Sequence, residues 1–425
     1  MASLTKSISI PRGVVLAVCT IIGSGLLGLP GLAVEAGGHH MAALAWPVTI
    51  LLSLPLVAVF LSLSLRVQDS GGVARYASIA FGNWAETAVS LILVATFIIC
   101  IPIGTYMGSA YIQRIFGLPQ ASVFLIAISI LLFSTVVNAL GVRPASWVNI
   151  GSSLSLVLLV IVFIWARPNL LPDGINAYGH YLADWRDVRL TTIWTICALL
   201  FWAFLGWENL SFGSEEVRGG PAAIKAIFAL GFAVVTTIYV ALAILTAGAG
   251  VNGLAISGVS GLLSILEGTK AATTGFTLIV LVVIANVNAW VFAASRLVFS
   301  AGRAGIMPRA LGRLSNCNLP ITSLWFMMAM YLVLTAALAF DFVDISAAIL
   351  IANQNFIVLY GVVVICYMKL NRTLRAYLIA AAADVSCVFL ISGFTWTLLF
   401  PAALAGFGYL LHVKRRRRAL AMGTP

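Results

Sequence analysis

Glu208 is the residue whose type and setting stand out. It ends the run Phe201-Trp202-Ala203-Phe204-Leu205-Gly206-Trp207-Glu208, inside an otherwise apolar stretch from Ala198 to Gly213. A carboxylate at bilayer depth costs roughly 2.5–3.5 kcal/mol on insertion scales, so such an acid faces a cavity or a partner and can carry a proton. The alternative is a structural glutamate bonded to a neighbouring helix. A second patch, Ile21-Ile22-Gly23-Ser24-Gly25 followed by Pro30, lies in the apolar run from Val14 to Val34. Glycine costs a helix interior roughly 1 kcal/mol and lets other groups approach the backbone, and proline lacks an N–H. Unwinding in hydrocarbon is tolerated only where the freed groups line protein or a cavity. Such a break presents bare N–H groups suited to an anion. Close helix packing is the competing reading, because Ser24 and Gly28 have the small-xxx-small spacing.

These residues must be held by membrane helices. Of 425 residues, 62% are hydrophobic and only 9% charged, and mean hydropathy is +1.08. Soluble domains carry about 25% charged residues. The apolar runs are continuous and about twenty residues long, which excludes a β-barrel pattern. The six cysteines are scattered, and His39-His40 reads as part of a short connection, so neither metal nor cofactor is expected. The +11 net charge does not point to nucleic acid, because of where it falls. Lys414-Arg415-Arg416-Arg417-Arg418 directly follows the last run, as an anchor for anionic lipid.

About twelve spans are expected, near residues 12–34, 41–65, 87–111, 123–140, 148–166, 191–213, 223–247, 275–301, 322–340, 345–367, 374–392 and 394–413. All 24 Lys and Arg fall on one side except Arg114, Arg167, Arg186, Arg189 and Lys270. That asymmetry predicts a cell (inner) membrane protein with both termini cytoplasmic. No cleavable signal peptide and no soluble terminal domain are expected. The outer connection 167–190 contains Tyr181 and Trp185, suited to the interface; the outer segment 248–274 has room for a short helix. The polar interruption in span six stands five spans after that in span one. An odd repeat length inverts the second copy, and paired interruptions point to a midplane site. The chain thus reads as one all-α polytopic domain: a five-helix repeat over 12–166, a second over 191–367, and two additional helices over 374–413. Asp384, in span eleven, reads as structural.

Four patches resemble the amino acid–polyamine–organocation (APC) transporter superfamily, in particular its small bacterial efflux members, over almost the whole chain. They are Gly23-Ser24-Gly25 with Pro30; Ser70-Gly71-Gly72-Val73-Ala74-Arg75-Tyr76 with Phe81-Gly82; the Phe201–Glu208 run; and Ser295-Arg296-Leu297 with Ala301–Pro308. The resemblance implies a 5+5 inverted-repeat core with broken helices one and six and an amino acid bound between them. It implies that Gly23 lies in the substrate-binding break and that backbone N–H groups at Ser24 and Gly25, with the Ser24 hydroxyl, receive the carboxylate. Carbonyls at Ile21, Trp202 and Leu205 would receive the ammonium, Gly206 would permit the second break, and Glu208 would be proton-linked. Candidates for the side-chain pocket are Ile98, Ile99, Cys100 and Ile103 from span three, and Asn286, Asn288 and Trp290 from span eight. Interhelical bonding is an equal alternative for the two asparagines. A pocket with no charge besides Glu208 suits neutral aliphatic or thioether amino acids, discriminated weakly. Span five has no lysine, where some proton-coupled relatives carry one. Sodium ligands are sparse near spans one and eight, so a proton is the expected coupling ion, and antiport would drive efflux. An importer or exchanger of the same fold, a sensor that binds without transport, a membrane enzyme and a channel are the rival readings. The substrate, the direction of flux and the oligomeric state are not specified by the residues.

Overall fold

The computed structural model describes residues 6–421 except 23, 185, 259, 260, 344, 393 and 395; side chains at 24–26, 146, 149, 152, 153, 345–347, 349, 350, 396 and 416–421 are outside the description. Gly23 and Trp185, singled out above, therefore lie outside the described residues. The chain runs through α1 (Ile10–Ile21), α2 (Ser24–Arg66), α3 (Gly72–Phe81), α4 (Asn83–Ile115), α5 (Ser122–Ala139), α6 (Val142–Ala166), α7 (Leu170–Ala183), α8 (Leu190–Leu200) and α9 (Trp207–Phe212). It continues through α10 (Gly220–Val251), α11 (Leu263–Leu266), α12 (Ala272–Arg303), α13 (Ile321–Ala339), α14 (Ile345–Leu370), α15 (Leu374–Ile391) and α16 (Leu399–Ala421). Outside the helices, the described residues hold one isolated parallel bridge, between Ile8 and Val217.

The protein is an all-helical, polytopic membrane protein. Among the described residues, nine helices are long and apolar enough to cross a membrane, and ten if the bent pair at α6–α7 counts as one span. This is fewer than the dozen expected, for identifiable reasons. Helix α1, with 12 residues, is too short to cross by itself. Helix α2 has 43 residues and a non-helical Gly38 (φ 76°, ψ 173°). Unbent, it would run about 65 Å, roughly twice the hydrocarbon thickness, so two expected spans fall within one helix.

Two connections are more ordered than their sequence suggested. The outer one contains α7, which turns 91° from the end of α6 and lies against α10. Glycines permit this crossing. A Cβ on Gly174 would stand 2.0 Å from the Ile244 carbonyl oxygen, and one on Gly248 equally close to that of Leu170. The inner connection contains α3. The basic cluster, expected beyond the last span, lies within α16 itself.

Helix α12 is the centre of the molecule. It touches α1, α4, α5, α6, α9 and α13 and is buried on nearly every face. It therefore carries Asn286, Asn288, Ser295 and Arg296 in the interior, where each must find partners. At the periphery, α15 packs on α14 and α2, and α16 on α4. Val385, Val388, Leu399 and Leu410 on these two helices are exposed, as suits a face toward lipid.

Candidate functional site

The first break follows from the end of α1. Ile22 is extended (φ −92°, ψ 103°), so the last four carbonyls of α1 need outside partners. Each has one. The Ile22 N–H donates to Val18 O (2.7 Å), Asn286 Nδ2 to Cys19 O (2.8 Å) and Trp290 Nε1 to Thr20 O (2.8 Å). The Tyr239 hydroxyl donates to Ile21 O at 3.4 Å, a long bond that leaves this oxygen the most available of the four. Side chains from α10 and α12 thus hold the cut end of α1 open. Helix α2 begins at Ser24, so the N–H groups of its first turn, including Ser24 and Gly25, have no acceptor within the helix.

The second break lies between α8 and α9. A single 3₁₀ turn, Phe201–Phe204, closes with the Leu205 N–H donating to Trp202 O (3.2 Å). Leu205 is then extended and Gly206 takes φ 121°. Only glycine adopts that conformation readily. A Cβ on Gly206 would also stand 3.0 Å from Thr20 O and 3.2 Å from Ile21 Cγ1, so the two breaks meet at this residue.

Glu208, in the first turn of α9, is 1% exposed. Its Oε2 accepts from the Gly206 N–H (3.1 Å), which caps its own helix, and from the Tyr360 hydroxyl of α14 (2.6 Å). Among the described residues, its Oε1 is buried without a hydrogen-bond partner. The neighbouring-helix bond of the structural alternative is therefore present, together with one carboxyl oxygen left over. Tyr360 is itself wedged edge-on against Phe60 and Phe201.

Beside the meeting point lies a narrow, partly open cavity. Ile21, Trp202, Leu205, Cys100, Asn286 and Trp290, all singled out from the sequence, line it together. So do Thr20, Ile101, Gly104, Thr105, Val287 and Phe356. Trp290, Phe97 and Phe356 form an edge-to-face and tilted aromatic group along one wall.

The other candidates lie elsewhere. Ile103 packs with Leu338 and Ala348, and Ile99 against the same cluster, away from the cavity. On α4, Cys100 and Gly104 share one face and Ile99 and Ile103 another, and the first pair faces the cavity. Ile98 packs partly buried against the main core. Asn288 is turned from Asn286 by two residues. It accepts from Asn138 Nδ2 (2.9 Å) and donates to Ala145 O (3.1 Å), joining α12 to α5 and α6. Helical periodicity could have separated these faces beforehand. Nothing in the sequence around Tyr360 or Gly104 pointed to either.

Two interrupted helices meeting beside a cavity, inside a polytopic helical bundle, are an architecture suited to a membrane carrier of small molecules. A sequence profile of the amino acid permease family matches residues 11–423, and the chain belongs to that family, within the APC superfamily; it is an amino acid transporter. It is similar to the L-methionine/branched-chain amino acid exporter YjeH of Escherichia coli (strain K12), with 24% identity over 98% of each chain. It also resembles the uncharacterized amino acid permease YecA of Bacillus subtilis (strain 168), with 26% identity over 96% of each. The b(0,+)-type amino acid transporter 1 of Mus musculus is 26% identical over 74% of this chain and 66% of its own.

Proposed function

We propose that the chain carries neutral, aliphatic or thioether L-amino acids outward across the cytoplasmic membrane by proton-linked antiport with alternating access. The observation that carries this is the cavity itself. Thr20 and Ile21 at the cut end of α1 and Trp202 and Leu205 at the second break border it, and its named walls carry no charged side chain. Bare N–H groups at the start of α2 suit a carboxylate, and carbonyls at Ile21, Trp202 and Leu205 suit an ammonium. Cys100, Ile101, Val287, Trp290 and Phe356 leave an apolar volume for the side chain, and soft or aromatic walls favour sulfur. The named substrate class of the Escherichia coli relative agrees with these walls, and its export agrees with the direction.

In this reading Glu208 carries the proton on Oε1, the oxygen with no partner among the described residues. Residues 12–166 and 191–367 form the two inverted repeats, and both termini face the cytoplasm. Phe356 and Tyr360 stand four apart on α14, so one helix face touches both the cavity and the carboxyl. Movement of α14 would therefore be felt at both.

Replacing Glu208 with Gln keeps the shape and removes the titrating group. In proteoliposomes loaded with labelled methionine or leucine, an imposed proton gradient should accelerate efflux from the wild type and leave Glu208→Gln unaffected, with gradient-free counterflow retained. Gradient-driven efflux by the variant would exclude Glu208 as the proton carrier. Failure of any neutral amino acid to exchange would exclude the substrate class.

A further inference from the structure

One end of the molecule carries two layers of ion pairs centred on α12. In the inner layer, Arg296 Nε meets Glu216 Oε1 at 2.9 Å with both side chains buried. Arg296 also donates to Ser295 Oγ (2.9 Å) and lies 3.8 Å from the centre of the Phe292 ring. The main-chain carbonyl of Glu216 accepts from the N–H groups of Ser7 and Ile8, both at 2.9 Å. In the outer layer, about two helical turns on, Arg303 reaches Asp69 (3.5 Å), Ser70 (3.2 Å) and Glu215 (3.3 Å). The end of α12 thereby fastens the loop after α2, the turn after α9 and the segment leading into α1.

Helix α16 arrives at the same place. It lies close along α4, where a Cβ on Gly408 would stand 2.7 Å from Ala88 Cα, and Tyr409 packs edge-on against Trp84. Beyond this contact, Arg415 Nη2 donates to the carbonyl of Ala304 at 3.3 Å. Ala304 directly follows α12 and is the neighbour of Arg303. The next residue, Gly305, has φ 69°, and a Cβ there would stand 2.9 Å from Arg415 Nη2. Asp69, Glu215, Arg303, His412 and Arg415 line one cleft.

We infer that the basic end of α16 is a latch on this ionic closure, released when anionic phospholipid headgroups engage Lys414–Arg418. The inference rests on the proposed carrier cycle, in which this end must open, and on its cytoplasmic orientation. A guanidinium on the carbonyl end of a helix is favourable but, when exposed, weak and screened by salt. That weakness is what a releasable contact needs. The same cationic run is attracted to an anionic cytoplasmic leaflet, so Arg415 has two competing partners. An Arg415 drawn to lipid leaves the Ala304 carbonyl, and the end of α12 beside Arg303 loses its outer restraint.

The test reads the cleft directly. Ser300 lines it and is buried, so Ser300→Cys in a Cys100→Ser/Cys317→Ser background reports opening through its labelling rate with a membrane-impermeant maleimide. Purified protein is compared in nanodiscs of phosphatidylcholine alone and of phosphatidylcholine with phosphatidylglycerol. Anionic lipid should raise the rate about two- to fivefold when Arg415 is present, the scale of one exposed helix-end contact. Arg415→Ala should show the raised rate in neutral lipid and no further response to phosphatidylglycerol. Gly305→Ala keeps every charge and displaces the guanidinium by crowding, and should behave likewise. A rate in Arg415→Ala equal to that of the parent in neutral lipid would overturn the latch. So would a lipid response that survives the substitution, or parental behaviour in Gly305→Ala. Labelling requires no amino acid, so absent counterflow would sink the carrier cycle while this readout still judged the latch.

Discussion

Tyr360 and Cys100 show how single side chains decide what the site can do. Tyr360 supplies one of the two donors to Glu208 Oε2, from a helix that also reaches the cavity. Tyr360→Phe removes that donor with little change of shape and leaves Oε2 with the Gly206 N–H, at a cost of about 0.5–1.5 kcal/mol for one net hydrogen bond. The pH profile of flux through proteoliposomes is expected to shift while the variant still purifies as a folded species. A superimposable profile would take Tyr360 out of the proton path. Cys100 lines the cavity wall beside Trp290. In a Cys317→Ser background, a small methanethiosulfonate reagent should therefore inhibit transport, and a bound neutral amino acid should slow that inhibition severalfold. Inhibition at the same rate with and without substrate would place the amino acid elsewhere. At this scale the sequence was partly readable. A glutamate in an apolar run announces itself by its cost. A tyrosine in α14 does not, because tyrosine is ordinary in membrane helices and its partner is 152 residues away.

At the scale of elements, two helix interruptions meet. Gly206 has a positive φ and touches the carbonyl of Thr20, so its lack of a Cβ serves both the break and the contact. Gly206→Ala forces an L-residue into a region that costs about 1–3 kcal/mol and presses a methyl group against α1. Amino-acid affinity should fall by about two- to tenfold if half of that cost falls on the binding-competent state, against 1.4 kcal/mol per decade. Isothermal titration on detergent-purified protein measures it, and wild-type affinity would mean that the break does not shape the site. The interruptions themselves were legible, since glycine in an apolar run is a local signal. Which faces of the neighbouring helices close the cavity was not. On α4 the pairs Cys100–Gly104 and Ile99–Ile103 are equally apolar, and only the packing of α13 and α14 turns the second pair away.

For the whole molecule, the distribution of Lys and Arg predicts which end faces the cytoplasm, and one native residue can report it. Cys317, between α12 and α13, is exposed. A membrane-impermeant maleimide should label it in inside-out vesicles and spare it in right-side-out vesicles of intact orientation. Labelling from the outside would invert the topology and, with it, the direction assigned to the ionic closure.

Composition and run length alone fixed the class of this protein: a chain with so few charges and such long apolar runs can satisfy its backbone in lipid only as helices. The paired glycine-rich interruptions and the buried glutamate were equally local, because each violates the cost rules of its own segment. The tertiary structure decided the rest. It set α7 across α10, turned Asn288 toward Asn138, gave Glu208 a tyrosine from a distant helix, and brought the tail arginine to the end of α12. Those contacts join residues far apart in the chain through close packing and hydrogen bonds, and neither interaction leaves a trace in the local pattern of residue types.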